Sequence, residues 1–208
     1  MFVRSRKSAR SGDTRAALLR VARKEFAKRG YAGTAAEEIA RRAGVTRGTL
    51  YYQFRDKKAL FLEVCDQLER ECSERITTAG LAAPGLWEQL RAGCEAALDT
   101  FLDPTYLRIM VLDGPAVLGW ETWRGLLSKY GRDLLRRGLR DAMDRGLIDR
   151  QPLEPLAHVL TGAVNEAGLV IAHTKDVRRA RVQFGVAIAR LLEGLRAAGR
   201  GRSLARRR

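Results

Sequence analysis

Apolar positions along this chain recur three and four residues apart, and nowhere alternate every second residue as in a half-buried strand. Leu18, Leu19, Ala22 and Phe26 make one such stripe, which predicts a first helix capped by Asp13 and stopped at Gly30 behind Lys28 and Arg29. Thr34 followed by Glu37 has capping-box spacing and predicts a second, very short helix that carries Ile39 and Ala43 inward and ends at Gly44. Thr46 caps a third short helix reaching about Gln53. Asp56 caps a fourth, long one that starts at Lys57 and carries Leu60, Val64 and Leu68 on one face. Beyond "APGLW" the helices lengthen, over about residues 85–102, 104–113, 120–145, 154–173 and 177–197, with breaks at Pro84, Pro104, Pro115, "RGLIDRQP" and "TKD". The fold class is therefore all-α, a small N-terminal unit of three helices followed by a larger helical domain.

Charge divides this helical string into regions. The net +15 is not spread evenly: residues 1–60 hold 16 Lys+Arg against 5 Asp+Glu, and residues 196–208 hold 6 arginines and no acid. The middle carries 17 basic and 19 acidic residues, so the positive charge sits at the two ends. A basic terminal module is the electrostatic footprint of a polyanion binder, while a bare arginine tail is equally a solvated surface. The expected division is a basic flexible arm over 1–12, a basic helical domain over 13–57, a larger helical domain over 58–197 and a disordered Arg-rich tail over 198–208.

Composition closes off other classes. The 46% hydrophobic content is that of a globular chain. The start "MFVRSRKSARSG" has charge without the apolar run a secretory signal needs. The most apolar stretch, "LAHVLTGAVNEAGLVIAH", carries Asn165 and Glu166 at its centre, which argues for a buried helix and against a membrane partner. Cys65, Cys72 and Cys94 are odd in number and lack CxxC spacing, so they read as reduced thiols of a cytoplasmic protein and hold no metal. His158 and His173 form no metal pattern either. No nucleophile elbow, phosphate loop or HExxH occurs, so neither an enzyme nor a cofactor is expected.

The chemistry concentrates in "GVTRGTLYYQF", Gly44 to Phe54. A helix, a tight turn and a second helix of about seven residues is the helix-turn-helix arrangement. Gly44 supplies the left-handed conformation closing one helix, Val45 plugs the core and Thr46 caps the next. The second helix enters a major groove N-terminus first and presents Thr46, Arg47, Gly48 and Thr49, then Tyr51 and Tyr52 a turn later. Arg47 can fork onto guanine O6 and N7, and Thr49 can touch a thymine methyl or a phosphate. Gly48 costs about 1 kcal/mol in a helix relative to Ala, which implies close backbone approach to something. The two phenols can place hydroxyls on phosphates, and Thr34 and Lys57, at the N-termini of flanking helices, add phosphate contacts.

The run "FAKRGYAGTAAEEIARRAGVTRGTLYYQFRDKKALF", Phe26 to Phe61, resembles the DNA-binding domain of the TetR (TetR/AcrR-like) family of bacterial transcriptional regulators, through its F, G and T spacing, "IA..AGV..GTLYYxF" and the following K..L. The likeness implies DNA contacts at Thr34, Thr46, Arg47, Gly48, Thr49, Tyr51, Tyr52 and Lys57, and core roles for Leu50, Phe54, Ile39 and Ala43. Gln53 stands where His is frequent, and Arg23 and Glu25 replace common apolar residues of the first helix. The resemblance also implies that 13–57 is the helix-turn-helix DNA-binding domain and 58–197 the regulatory and dimerisation domain of a homodimer on double-stranded, palindromic operator DNA, acting as a repressor released by a small apolar or amphipathic effector. A ligand-independent adaptor or activator of the same fold is the alternative.

The C-terminal domain carries weaker signals. Leu156, Val159, Leu160, Ala163, Ala167, Val170 and Ile171, with Val182, Val186, Ala189 and Leu192, give the last two long helices the apolar faces of half a four-helix dimer interface. Met110, Trp120 and Trp123 read either as walls of a ligand pocket or as ordinary core. Asn165 and Glu166, mid-helix among apolar residues, demand a partner, either a ligand or a structural one such as His173 or Arg181 of a second copy.

Overall fold

The structure is a computed structural model; it describes the backbone of residues 3–205 and the side chains of residues 11–196. No strand occurs among the described residues. Eleven α-helices follow one another in the described residues: α1 Val3–Arg29, α2 Ala36–Arg42, α3 Arg47–Gln53, α4 Lys57–Ala82, α5 Leu86–Thr100, α6 Pro104–Tyr106, α7 Gly114–Leu118, α8 Trp120–Leu127, α9 Asp133–Asp144, α10 Leu153–His173 and α11 Val177–Ala205. Two π-helical turns, Leu107–Asp113 and Ser128–Arg132, join α6 to α7 and α8 to α9. The expected helix over 120–145 is thus interrupted in its middle. Pro115 does not break the chain, because it lies in the first turn of α7, where a missing N–H costs nothing.

Two compact units result. The first joins the residues up to Leu68 with Pro104–Trp123, and the second joins Glu69–Asp103 with the residues from Arg124 onward. The segment 104–123, placed by sequence in the regulatory domain, therefore packs with the N-terminal helices. The core of the first unit is built on Leu18, Phe26, Ile39, Leu50, Leu60, Phe61 and Ile109, all fully buried. Phe26 and Phe61 meet edge to face at 5.1 Å, and Tyr31 adds a second such contact to Phe61 at 5.0 Å. Ala40 is buried where Ala43 was expected, since Ala43 is the C-cap and half-exposed.

Helix α1 begins at Val3, ten residues before the anticipated Asp13 cap, so Asp13 lies exposed along the helix. Arginine, lysine and alanine, all good helix formers, carry the helix back through the stretch read as an arm; residues 1–2 of that arm lie outside the described residues. At the other end α11 continues to Ala205 instead of stopping near 197, for the same reason. Only residues 206–208 of the expected tail lie outside the described backbone.

In the second unit, α5, α9, α10 and α11 pack on one another around Leu98, Leu139, Ala157, Ala167, Ile171 and Leu192. Arg181, almost buried, binds Asp99 Oδ1 and Glu95 Oε2 at 2.7 Å each and pins α11 to α5. It is occupied within its own chain, not held in reserve for Glu166. Trp87 Nε1 donates to Glu193 Oε1 at 3.0 Å. Helix α10 has the length and hydropathy of a membrane span, yet it is packed against α5, α9 and α11 and bears Asn165, Glu166 and two histidines.

All three cysteines are buried and none is joined in a disulfide among the described residues. Burial pushes the Cys72 thiol up to about 11 and the Cys94 thiol up to about 12.

Candidate nucleic-acid interface

The turn between α2 and α3 decides what α3 presents. Gly44 takes φ +70°, the left-handed conformation that closes α2, and Val45 N donates to Ala40 O at 3.0 Å. Thr46 adopts extended backbone and its Oγ1 accepts from Thr49 N at 3.1 Å, the N-cap bond the sequence predicts. One face of α3 is anchored by Leu50, fully buried, and by Phe54 just past its end. The opposite face carries Thr46, Arg47, Gly48, Tyr51 and Tyr52 to solvent; Tyr52 is 85% exposed, and Thr49 is half-buried beside Thr46. An exposed tyrosine adjacent to another on a seven-residue helix has no packing purpose in this chain.

Gly48 sits in open space. A Cβ there meets only Thr46 Oγ1 at 3.8 Å, an ordinary contact, so nothing inside the fold requires glycine at this position. Arg47 is solvent-exposed, lies 5.5 Å from the Tyr51 ring and shares an exposed ion pair with Glu37 at 3.2 Å. Such a pair stabilises by at most about 1 kcal/mol, so a phosphate or a guanine edge competes with it easily.

Two of the predicted contacts face inward. Thr34 is 2% exposed, and its hydroxyl donates to Gly30 O at 2.7 Å, with Glu25 O at 3.2 Å. It closes the end of α1 instead of capping α2, whose N-cap is Ala35 without a side-chain bond. Lys57 is also taken. Its Nζ donates to Tyr31 O and Thr34 O at 2.9 Å each and lies 4.1 Å above the Tyr31 ring. Both residues hold the α1–α2 turn in shape; the exposed cations beside them are Lys28, Arg29, Arg55 and Lys58. Gln53, too, is engaged, donating from Nε2 to Ser11 Oγ at 2.9 Å.

Several supports were not legible beforehand. Arg15 of α1 pairs with Glu63 of α4, donates to Gln53 O at 2.9 Å and stacks 4.4 Å over the Phe54 ring, which fixes the C-terminal end of α3. Glu25, 4% exposed, binds Arg42 at 2.7 Å and lies 3.4 Å from Arg29, tying α1 to α2. Arg42 also reaches Glu38, which Arg41 grips with two 2.8 Å bonds; these arginines hold the Glu38 carboxyl down at about 2. The substitution of Glu25 for an apolar residue thus brings an internal ion pair. Asp113, ending the first π-helical turn, accepts from Tyr31 N at 2.8 Å, with Arg108 Nε 3.4 Å away. Its partner is a backbone N–H 82 residues distant, a pairing that leaves no local signal in sequence.

The five residues proposed for a ligand pocket lie in different surroundings. Met110 and Trp123 are core: Trp123 Nε1 donates to Met110 O at 2.8 Å, and its ring lies against Gly114. Trp120, 62% exposed, rests at 5.5 Å on the Trp123 ring. Glu166 is exposed, because at the helical period it falls on the face of α10 opposite Ala167 and Gly168. Asn165 lines a polar cleft shared with Arg124, Arg132 and His158.

Known proteins place this geometry. Residues 18–64 match the family described as bacterial regulatory proteins, tetR family, and residues 87–195 match the tetracyclin repressor-like, C-terminal domain. A solved tetR-family transcriptional regulator of Pectobacterium atrosepticum superposes with a TM-score of 0.78 at 34% identity, covering 90% of this chain and 96% of that one. The HTH-type transcriptional regulator AcrR of Shigella flexneri is 42% identical over 62 residues, 30% of this chain but 29% of that protein. An HTH-type transcriptional repressor of Mycobacterium tuberculosis is 30% identical over 132 residues, 58% of this chain and 63% of that one.

Proposed function

Since this chain belongs to the TetR family of DNA-binding transcriptional regulators, and not to an enzyme family, we propose that it is a homodimeric repressor that reads a palindromic operator through α3 and is released by a small apolar or amphipathic ligand. The observation that carries the DNA reading is the outward face of α3, where Gly48 and Tyr52 stand exposed without a folded-state purpose and Arg47 is held only by an exposed ion pair and the edge of Tyr51. In this reading Arg47 makes the base contact, bare backbone at Gly48 approaches the duplex, and the tyrosine and threonine hydroxyls fix register on phosphates. The +11 of residues 1–60 supplies the attraction that does not depend on sequence.

Self-association follows from the last two helices. Part of their apolar faces is used inside the chain, by Leu160, Ala167, Ile171 and Leu192. Val159 and Val170 on α10, and Val182, Val186 and Leu191 on α11, remain exposed on stripes of helical period. Those stripes support a four-helix interface between two copies. A dimer fills successive major grooves by holding its two α3 helices about 34–36 Å apart.

Ligand release works by differential affinity for two states of the C-terminal domain. The π-helical turns within 104–113 and 128–132 support such a switch, because π-turns interrupt the helical ladder and recur at functional sites. The repressor name borne by the mycobacterial relative supports the sign of regulation. The test is fluorescence anisotropy with a labelled palindrome from the region upstream of the gene. Nanomolar binding that Arg47→Ala abolishes is the expected result; equal binding to unrelated duplexes at the same salt refutes it.

A further inference from the structure

Residues 1–60 hold five acids, and three of them hold the fold together. Glu25 binds Arg42 at 2.7 Å, Glu38 is gripped by Arg41 and Arg42, and Asp56 Oδ1 accepts from Ala59 N at 2.7 Å at the start of α4. Asp13 lies exposed on α1. Glu37 differs. It stands exposed in the first turn of α2, with Oε1 3.2 Å from Nε of Arg47, the first residue of α3. A carboxylate beside the residue best placed to meet a base is a cost to a polyanion binder, since it repels phosphates within a Debye length of about 8–10 Å.

Arg47 is held from two sides. Besides Glu37, its guanidinium carbon lies 5.5 Å from the centre of the Tyr51 ring. Glu37 in turn is placed by what braces α2: Ile39 and Ala40 are buried in the core, and Arg42 ties the helix to Glu25 of α1. A guanidinium carries one N–H on Nε and two on each Nη. With Nε turned to Glu37, the Nη1–Nη2 edge remains for a ligand, and its two parallel N–H groups match guanine O6 and N7.

We propose that Glu37 is a positioning residue for base readout, one that sets the Arg47 fork for guanine and disfavours its attachment to phosphate, a role that rests on Arg47 making the base contact. Guanine is neutral and takes two N–H groups, so Glu37 keeps its hold on Nε while Arg47 reads the base. A phosphate instead draws the guanidinium away and comes to lie, anion beside anion, near the carboxylate it has stripped. Adenine offers N7 but sets an N6–H donor against the second N–H of a fixed fork. An arginine free to turn meets N7 alone and discriminates less. Holding Arg47 beforehand also lessens the rotamer freedom lost on binding.

The probe is the labelled palindrome with each base pair replaced in turn in both half-sites, read by anisotropy at fixed salt beside an unrelated duplex. The pair that Arg47 reads is the one whose replacement weakens the parent but not the residual binding of Arg47→Ala. There, guanine to adenine is expected to cost the parent about tenfold or more and Glu37→Ala less than about threefold. Glu37→Ala is also expected to bind the unrelated duplex about threefold more tightly, with unchanged helical content. Glu38→Gln removes a charge from the same turn of α2, at a residue whose partners are Arg41 and Arg42, and is expected to keep the parent's preference. A Glu37→Ala protein with the parent's preference for guanine overturns the positioning role alone. Equal loss of preference in Glu38→Gln overturns it too, in favour of bulk charge. A parent and an Arg47→Ala protein that respond alike at every base pair overturn the base contact and the positioning role together.

Discussion

Replacing Gly48 by alanine separates what the fold needs from what DNA needs. Its φ is not positive, and the new Cβ has no neighbour closer than 3.8 Å, so alanine adopts the existing backbone without strain. Alanine restricts the unfolded chain and favours the helix by about 0.5–1 kcal/mol, with the lower value expected here because Gly48 lies in the first turn of α3. For a chain of this length that raises the melting temperature by about 1–4 °C. The same methyl stands on the face presented to the groove, where it holds the α3 backbone off the duplex. Operator affinity should fall about tenfold or more, about 1.4 kcal/mol. Circular-dichroism melting and anisotropy on one preparation read both effects, with Gly44→Ala as the opposing control. At φ +70° alanine is strained, so that variant should lose about 1 kcal/mol of stability. A more stable Gly48→Ala protein with parental affinity refutes the close approach of α3 backbone to DNA, and a less stable one refutes the local geometry.

Other perturbations test the remaining supports. Gly168→Ala should destabilise by about 1–3 kcal/mol in urea melts, because its Cβ would lie 2.3 Å from the Phe101 ring, whereas Gly162→Ala, with open space around it, should not. Glu25→Gln should cost about 1–3 kcal/mol, since Arg42 and Arg29 lose their shared carboxylate, and should weaken operator binding through the mispositioned α2. Glu38 has its folded pKa lowered from 4.5 to about 2, so its contribution is fully present above pH 4.5 and is lost as pH falls towards 2. The acid-side loss of stability should be shallower in Glu38→Gln than in the parent. Cys72 and Cys94, buried and with raised pKa values, should react with a disulfide reagent at pH 8 only at the rate of unfolding; fast labelling of the folded protein would contradict their burial.

Local chemistry made the helix-turn-helix legible. The Gly44 turn, the Thr46 cap, the Asp56 cap and the inward Leu50 and Phe54 each follow from one or two neighbouring residues, and the structure reproduces them. Thr34 and Lys57 show where that reasoning stops. Both have the residue type and position of phosphate ligands, yet the direction each side chain takes is set by the α1–α2 turn, which takes the Thr34 hydroxyl and two of the three Lys57 N–H donors. Helix ends were misjudged for a related reason: Asp13 is a good cap, but propensity upstream of it is strong enough for α1 to continue through it.

The sequence by itself determined an all-helical chain, the place of the short helix α3 and the residues that helix turns outward, because these depend on periodicities and caps spanning a few residues. Tertiary structure alone decided that 104–123 packs with the N-terminal helices, that Asp113 holds Tyr31, that Arg15 braces α3, and that Trp123 is buried with its indole N–H on Met110 O. It also brought Arg124, Arg132 and His158 together from separate helical segments. Such contacts join groups tens of residues apart, and their partners are chosen by packing of whole helices, which no short window of sequence encodes.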